Sequence, residues 1–419
     1  MGHVVKTPAG TYRANWRDAA GRQKAKTFRT KKEASLFLVE TEASVARGTY
    51  VDPHAGRIRF GEYADRWLTA RNTQRSTSAR DLSLMRNHVL AAWATTPIGK
   101  VDHLAVQRWV TDLGTRLSPA SVSKCHQLAS LVFKAAVRDR LIAVNPAVDV
   151  RLPSLRRKDN DERIIRPDEL IMRLLPATPA RYRALVALAG GTGLRWGECV
   201  GLRWDAVDLE VALVRVVRVA VEVAGAVSVK PFPKSRAGRR TVPLPSFVVE
   251  LLRAHREAYP PGPSGEVFTN IAGGPVRRTL FRARVWRPAL VRAGLLGTVV
   301  ETAPDKWQAR WLDGEGLEWL ADFATEREAV AQVAAKAHGG LRFHDLRHSY
   351  ATHLVSSGVP VNDVQRVMGH EQASTTLNLY THGSDGQDAR VRNALADFLL
   401  TPEIKKPARE RRKPSEEGS

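Results

Sequence analysis

Residues 343–382 read FHDLRHSYATHLVSSGVPVNDVQRVMGHEQASTTLNLYTH, and this stretch decides how the chain is understood. His344 and Arg347 stand three apart, a spacing that puts both on one face of a helix and lets them converge on one phosphate. PVNDVQRVMG has helical patterning and stops at Gly369, a glycine suited to the left-handed turn that ends helices, with His370 directly after it. Tyr380 follows ten residues later, past STT. Alone, each of these is ordinary. HxxR fits the polar face of any amphipathic helix, and an isolated tyrosine is far more often a core or interface residue than a nucleophile.

What lifts them is company. Breaking a phosphodiester without a metal needs a nucleophile, cationic donors on the non-bridging oxygens and an acid for the leaving oxygen. Arg195 lies in TGLRWGE (192–198), where a glycine turn enters a helix whose N-terminal end also favours anions, and its guanidinium can grip two phosphate oxygens at once. Glu198, three residues on, can orient that arginine, or it is a solvated helix charge. Lys234 lies in the basic turn KPFPKSRAGRRTVPLP, from which an ammonium could reach the leaving oxygen. Lys230, Arg236, Arg239 and Arg240 compete for that role.

TGLRWGE, PKSRAGRRTVPLP, HDLRHSYATHL and GHEQASTTLNLYTH together resemble the signature of the tyrosine recombinases, the phage integrase family, in order, spacing and local sequence. The resemblance spans roughly residues 58–400. It implies Tyr380 as nucleophile, Arg195 and Arg347 as phosphate clamps, Lys234 as general acid, proton-transfer or hydrogen-bonding roles for His344 and His370, and a supporting role for Glu198. It further implies transesterification through a 3′-phosphotyrosyl link, with no cofactor and no metal, on double-stranded DNA at core and arm attachment sites. A homotetramer on DNA, a DNA-bending host factor and a directionality factor are the partners it suggests.

Composition agrees with such a partner. Sixty-five Lys plus Arg against 43 Asp plus Glu give +22, a balance that draws a protein to polyanions through counterion release. Two cysteines, Cys125 and Cys199, are too few and too far apart for a disulfide framework or a CxxC metal site. No apolar run of membrane-spanning length and no signal-peptide core is visible, so a cytoplasmic protein of a bacterial host is the expectation.

At 419 residues the chain should divide into several domains. Residues 1–55 alternate through TYRANWRD, turn, resume at KAKTFRT and change to helical patterning. Residues 58–150 look helical throughout, with Ser118 before Pro119 as a helix start. A linker rich in proline and charge falls near 150–163. Residues 163–400 mix helices with β-rich LVRVVRVAVEV, AVSVKPF and RRTVPLP, and 401–419 have the composition of a disordered tail. The expected fold class is multidomain and mainly α with small β-sheets: an N-terminal sheet plus helix, an all-α core-binding domain and a mixed α+β catalytic domain. The first of these is similar to the arm-type DNA-binding domain of bivalent phage integrases, with Arg13, Arg17, Arg22, Lys24 and Lys26 as its DNA-binding candidates.

One departure from the family pattern is a segment of about 40 residues, near 297–340, before LRFHDLRHS. Shifting the N-terminal unit by 295 positions aligns it with this segment without a gap, matching Ala14, Trp16, Asp18, Gly21, Phe28, Thr30, Glu33 and Ala34 to Ala309, Trp311, Asp313, Gly316, Phe323, Thr325, Glu328 and Ala329. Shared hairpin-plus-helix structure is expected. Residues 6–35 carry net +7, whereas 301–330 carry net −5. DNA should repel the second copy, which is therefore expected to contact protein, such as a basic surface of a neighbouring subunit. Three rival readings remain: a type IB topoisomerase, a Xer-like chromosome or plasmid dimer resolvase, and a non-catalytic DNA-binding protein.

Overall fold

The computed structural model describes residues 2–18, 21–52, 54–71, 75–154, 163–230 and 238–369. Lys234, His370, Tyr380 and the C-terminal tail lie outside them. The chain forms two compact units, residues 1–159 and 160–419.

The first unit holds two cores. Strands β1 (His3–Lys6), β2 (Tyr12–Arg17) and β3 (Gln23–Phe28) make an antiparallel sheet with β2 central, followed by α1 (Lys31–Ala46). Alternation along β2 turns Ala14 and Trp16 inward, where they are buried with Ala34 and Leu38 of α1. Thr30 starts α1 through a reciprocal cap: its hydroxyl accepts from the Glu33 N–H, and the Glu33 carboxylate accepts from the Thr30 N–H.

The second core is helical. It comprises α2 (Phe60–Ala70), α3 (Arg75–Leu84) running through a π-helical stretch (Met85–Leu90) into α4 (Ala91–Trp93), then α5 (His103–Arg116) and α6 (Pro119–Arg138). Val122, Cys125, Ala129, Val132, Phe133 and Ala136 recur at helical spacing and are fully buried on α6. Phe60, Trp93, Trp109 and Phe133 interlock through edge and tilted ring contacts at centroid distances of 4.5–5.9 Å.

The larger unit opens with α7 (Pro167–Glu169), a π-helical stretch (Leu170–Leu174) and α8 (Leu175–Ala177), followed by α9 (Ala180–Thr192) and the short α10 (Trp196–Val200). Residues 184–189 of α9 are all buried, as befits a helix apolar on every face at the centre of a core. Next come β4 (Val207–Asp208), β5 (Leu213–Val216), β6 (Val219–Val223), β7 (Ala226–Lys230) and β8 (Arg240–Pro243). They pair as an antiparallel β4–β5–β8 sheet and a β6–β7 hairpin, whose connection to β8 includes Lys234. Helix α11 (Ser246–Ala258) packs on α9, and α12 (Arg278–Phe281) continues through a π-helical stretch (Arg282–Trp286) into α13 (Arg287–Arg292).

Then the first unit's sheet appears again. Strands β9 (Thr298–Ala303), β10 (Lys306–Leu312) and β11 (Glu318–Phe323) form an antiparallel sheet with β10 central, and α14 (Glu326–Lys336) follows. Every pairing along the shared ladders repeats with the 295-residue offset: Tyr12↔Phe28 becomes Trp307↔Phe323, and His3↔Asn15 becomes Thr298↔Arg310. Ala309, Trp311 and Ala329 are buried like Ala14, Trp16 and Ala34, and Thr325 caps α14 through the Glu328 N–H. This copy joins the large core rather than keeping its own. The unit's described part ends with α15 (Asp345–Ser356) and α16 (Val361–Met368).

Candidate active site

Helix α9 stops at Gly193, whose φ of +63° is left-handed and whose hypothetical β-carbon would lie 2.5 Å from the Tyr350 ring. Only glycine satisfies both demands. The turn delivers Arg195 to the N-cap of α10. The anion at that helix end is the protein's own Glu198, which accepts the Arg195 N–H at 2.8 Å. The same carboxylate accepts from Arg195 Nη1 at 3.0 Å and bidentately from Arg240 Nη1 and Nη2 at 3.1 and 2.9 Å.

Glu198 and Arg240 have side chains only 2% and 4% exposed. Burial alone would push the Glu198 carboxyl upward, but the Arg240 hydrogen bonds and charge, with the Arg195 charge, hold it at about 2. Arg240 was one of the competing cations in the basic turn. Its place is instead structural, at the start of β8, and the sequence offers no pattern that separates it from its neighbour Arg239.

Three guanidiniums meet at one helix end. Arg240 Nε donates to the Val367 carbonyl at 2.6 Å, Arg347 Nη2 to the Met368 carbonyl, and Arg195 Nη2 to the Gly369 carbonyl at 3.3 Å. These are successive carbonyls at the C-terminus of α16, the negative end of its dipole. Gly369 ends the helix in the left-handed conformation, φ 62°. Arg347, 3% exposed, also donates Nη1 to the Gly193 carbonyl at 2.6 Å, so it locks the α9 turn to the α16 terminus. Arg195 keeps a side chain 41% exposed, and a guanidinium carries five donors, so it retains hydrogens for an incoming anion.

His344 occupies the N-cap of α15, one turn from Arg347. Desolvation, then the like charges of His348, Arg347 and Arg195, hold its imidazole at about 4, so it is neutral at physiological pH and can accept a proton or a hydrogen bond. Other potential nucleophiles are disarmed. Burial raises the Cys199 thiol well above its ordinary range, and burial likewise raises the Tyr350 phenol.

The structure therefore brings together Arg195 and Glu198 with His344 and Arg347 from two distant segments, and adds Arg240 from a third. Lys234, His370 and Tyr380 lie outside the described residues, although His370 directly follows the Gly369 carbonyl that Arg195 holds. Among the described residues no cluster of His, Cys, Asp or Glu could hold a metal ion, and no helix is long and apolar enough to cross a membrane.

The N-terminal candidates divide by face. Arg13 and Arg17 stand on the sheet face turned away from α1, in register with His3, Val5 and Asn15. Arg22, 71% exposed, pairs with Asp18 at 2.9 Å, Lys26 lies over the Phe28 and Phe37 rings, and Lys24 is held by Asp52 at 2.6 Å.

The relatives of this chain place it among the DNA strand-transferring, site-specific tyrosine recombinases. The model of the phage integrase family matches residues 164–295 and 324–387. The chain is 27% identical over 416 residues to a putative prophage phiRv2 integrase of Mycobacterium tuberculosis, covering 96% of this chain and 97% of that relative. It is 29% identical over 341 residues to tyrosine recombinase XerD of Corynebacterium glutamicum, covering 76% and 92%. Its fold is similar to the Tn1549 transposon integrase in complex with transposon right end DNA, with TM-score 0.60 and 18% identity over 81% of this chain and all of that one. A lambda integrase dimer bound to a COC′ core site is similar with TM-score 0.51 and 15% identity, covering 91% and 96%. The chain belongs to the tyrosine recombinase, or phage integrase, family. The stretch its family model leaves unmatched, 296–323, is the three-stranded sheet of the second copy.

Proposed function

We propose that this protein integrates and excises a phage or other mobile element, cutting double-stranded DNA at core sites while its N-terminal unit holds arm sites. Tyr380 attacks the scissile phosphorus, Arg195 and Arg347 neutralise the non-bridging oxygens, and Lys234 protonates the departing 5′-oxygen. His344 and His370 accept or hold the phenolic proton, and Glu198 fixes Arg195. The products are a 3′-phosphotyrosyl link and a free 5′-hydroxyl, which attacks the partner strand's link and regenerates Tyr380. No cofactor enters this balance. Exchange between two duplexes needs four such sites, hence a homotetramer on DNA in the bacterial cytoplasm, with a DNA-bending host factor and a directionality factor as further partners.

The observation that carries this reading is the convergence of Arg195, Arg240 and Arg347 on the carbonyls of residues 367–369, immediately before His370. A basic N-terminal unit favours an integrase over a Xer-like resolvase. The test is a nicked suicide duplex that traps the covalent complex. Tyr380→Phe is expected to bind the duplex normally and form no adduct, and an adduct persisting in that variant would refute the nucleophile.

The second copy of the sheet docks against a basic surface on another copy of this chain. Charge complementarity supports this, as does its outward face, where Val300, Leu312 and Leu320 are 52–55% exposed beside Glu318 and Asp322. Removing residues 300–336 should impair assembly more than binding to a single core site.

A further inference from the structure

The connection that carries Lys234 is short and tied down at both ends. Lys230, four residues before it, closes the β6–β7 ladder opposite Val219, and Arg240, six residues after it, is gripped bidentately by Glu198. Both anchors trace to α10, the helix that Arg195 caps. Strand β6 lies directly on that helix: a β-carbon on Gly201 would stand 2.7 Å from the Ala220 nitrogen, and one on Gly197 would strike the Ala220 carbonyl oxygen. Two glycines one turn apart let a strand backbone rest on a helix backbone.

The hairpin seated there is a two-stranded ribbon that pairs with no other strand among the described residues. Such a ribbon is marginal by itself, and a seat under one strand leaves it free to rock. Near its tip it has a second fastening. Glu222, just before the turn at Ala224 and Gly225, keeps a side chain only 16% exposed and reaches the start of α12. Its carboxylate accepts the Arg278 N–H at 2.7 Å and the Thr279 hydroxyl at 3.3 Å, with Arg277 Nε 3.6 Å away. The Arg277 guanidinium in turn lies against Gly225, where a β-carbon would meet Nη2 at 2.7 Å.

A proton donor must sit within hydrogen-bond reach of the atom it protonates, so a rocking hairpin costs proton transfer before it costs phosphate binding. Arg195 and Arg347 are held by other bonds, to Glu198 and to the carbonyls of Gly193, Met368 and Gly369. We propose that Glu222 is a positioning residue for Lys234: by pinning the hairpin near its tip to α12, it keeps the ammonium at the departing 5′-oxygen. The proposal rests on the reading of Lys234 as the acid. In that step the bond from the Tyr380 oxygen to phosphorus forms and the bond from phosphorus to the 5′-oxygen breaks. The 5′-oxygen takes the electron pair and the Lys234 proton.

The test compares two nicked suicide duplexes, one native and one with sulfur in place of the scissile 5′-oxygen, in single-turnover adduct formation by the full-length protein. Sulfur leaves as a thiolate, a far weaker base than an alkoxide, and needs no proton. Glu222→Ala should slow the native duplex about tenfold, a fraction of the roughly 10²–10⁴ that a general acid supplies, and cleave the sulfur duplex at the parent's rate with unchanged binding. Glu222→Gln, which keeps an acceptor for the Arg278 N–H, should recover most of the native rate. Thr279→Val removes one hydroxyl and leaves Glu222 in place, so it should show a smaller loss, again on the native duplex alone, even if Glu222→Ala folds poorly. Lys234→Ala should fail on the native duplex and recover on the sulfur one. Equal slowing of both duplexes by Glu222→Ala and Thr279→Val, or a native rate left at the parent's, overturns the proposal. A Lys234→Ala variant that stays slow on sulfur removes the reading of Lys234 and the proposal with it, a failure that the Glu222 variants cannot produce.

Discussion

The two sheet units share a backbone plan and differ in nearly everything they show to their surroundings. Across the 295-residue offset, Ala14, Trp16, Asp18, Gly21, Thr30 and Ala34 recur as Ala309, Trp311, Asp313, Gly316, Thr325 and Ala329. These are the inward residues, the turn and the helix cap. Asp18 and Asp313 close their turns alike, accepting from Gly21 and Gly316, both with positive φ. Yet Arg13, Arg17, Arg22, Lys24 and Lys26 face Gln308, Leu312, Leu317, Trp319 and Ala321: every candidate DNA contact has lost its charge. A handful of buried positions specifies the fold, and the outer face is free to be rewritten.

The comparison can be broken first at its tryptophans. Trp311→Ala should lower the stability of the larger unit by about 3–5 kcal/mol in urea denaturation, because Trp311 is part of the main core. Trp16→Ala should unfold only the small N-terminal core, detected as faster proteolysis within residues 3–46 with the remaining protein intact. Equal global effects would mean that the two sheets are not integrated differently.

Acid should separate the units next. The folded Glu198 carboxyl takes a proton only near 2, against 4.5 ordinarily, so its stabilisation of about 3 kcal/mol is present above pH 4.5 and is lost as pH falls toward 2. His344, lowered from 6.5 to about 4, adds a loss that begins at higher pH, as the unfolded chain takes up the proton first. Melting temperature measured from pH 7 to 2 should therefore fall in two stages for the larger unit. Glu198→Gln should abolish the lower stage and leave the upper.

Surface exchanges sharpen the contrast further. Giving the first sheet the residues of the second, Arg13→Gln with Arg17→Leu, should reduce the salt dependence of arm-DNA binding by about 2. Leu312→Asp with Leu320→Asp should weaken assembly of paired complexes in sedimentation while leaving single-site binding unchanged. The smallest effect belongs to the caps: Thr30→Ala and Thr325→Ala should each cost about 1 kcal/mol, equally in both copies.

Much of this was legible in the sequence because local rules carry it. Ser118-Pro119 marks the start of α6, Gly369 the end of α16, and the duplicated sheet follows from identities at turn and core positions. The recombinase motifs announce their residues in order. What stayed hidden depends on packing across long separations. Nothing near Glu198 shows that Arg240 will engage it, nor that three arginines will share one helix end. Lys24 is a DNA-binding candidate in the sequence, and no local pattern shows that Asp52, later in the chain, will hold it.

The bonds from Arg195, Arg240 and Arg347 to the carbonyls of residues 367–369 also have a mechanical meaning. They fasten three guanidiniums, two of them the proposed phosphate clamps, to the chain just before the segment that carries His370 and Tyr380. Displacing the C-terminus of α16 would therefore have to break or carry along bonds to three guanidiniums at once, at the three peptide groups preceding His370.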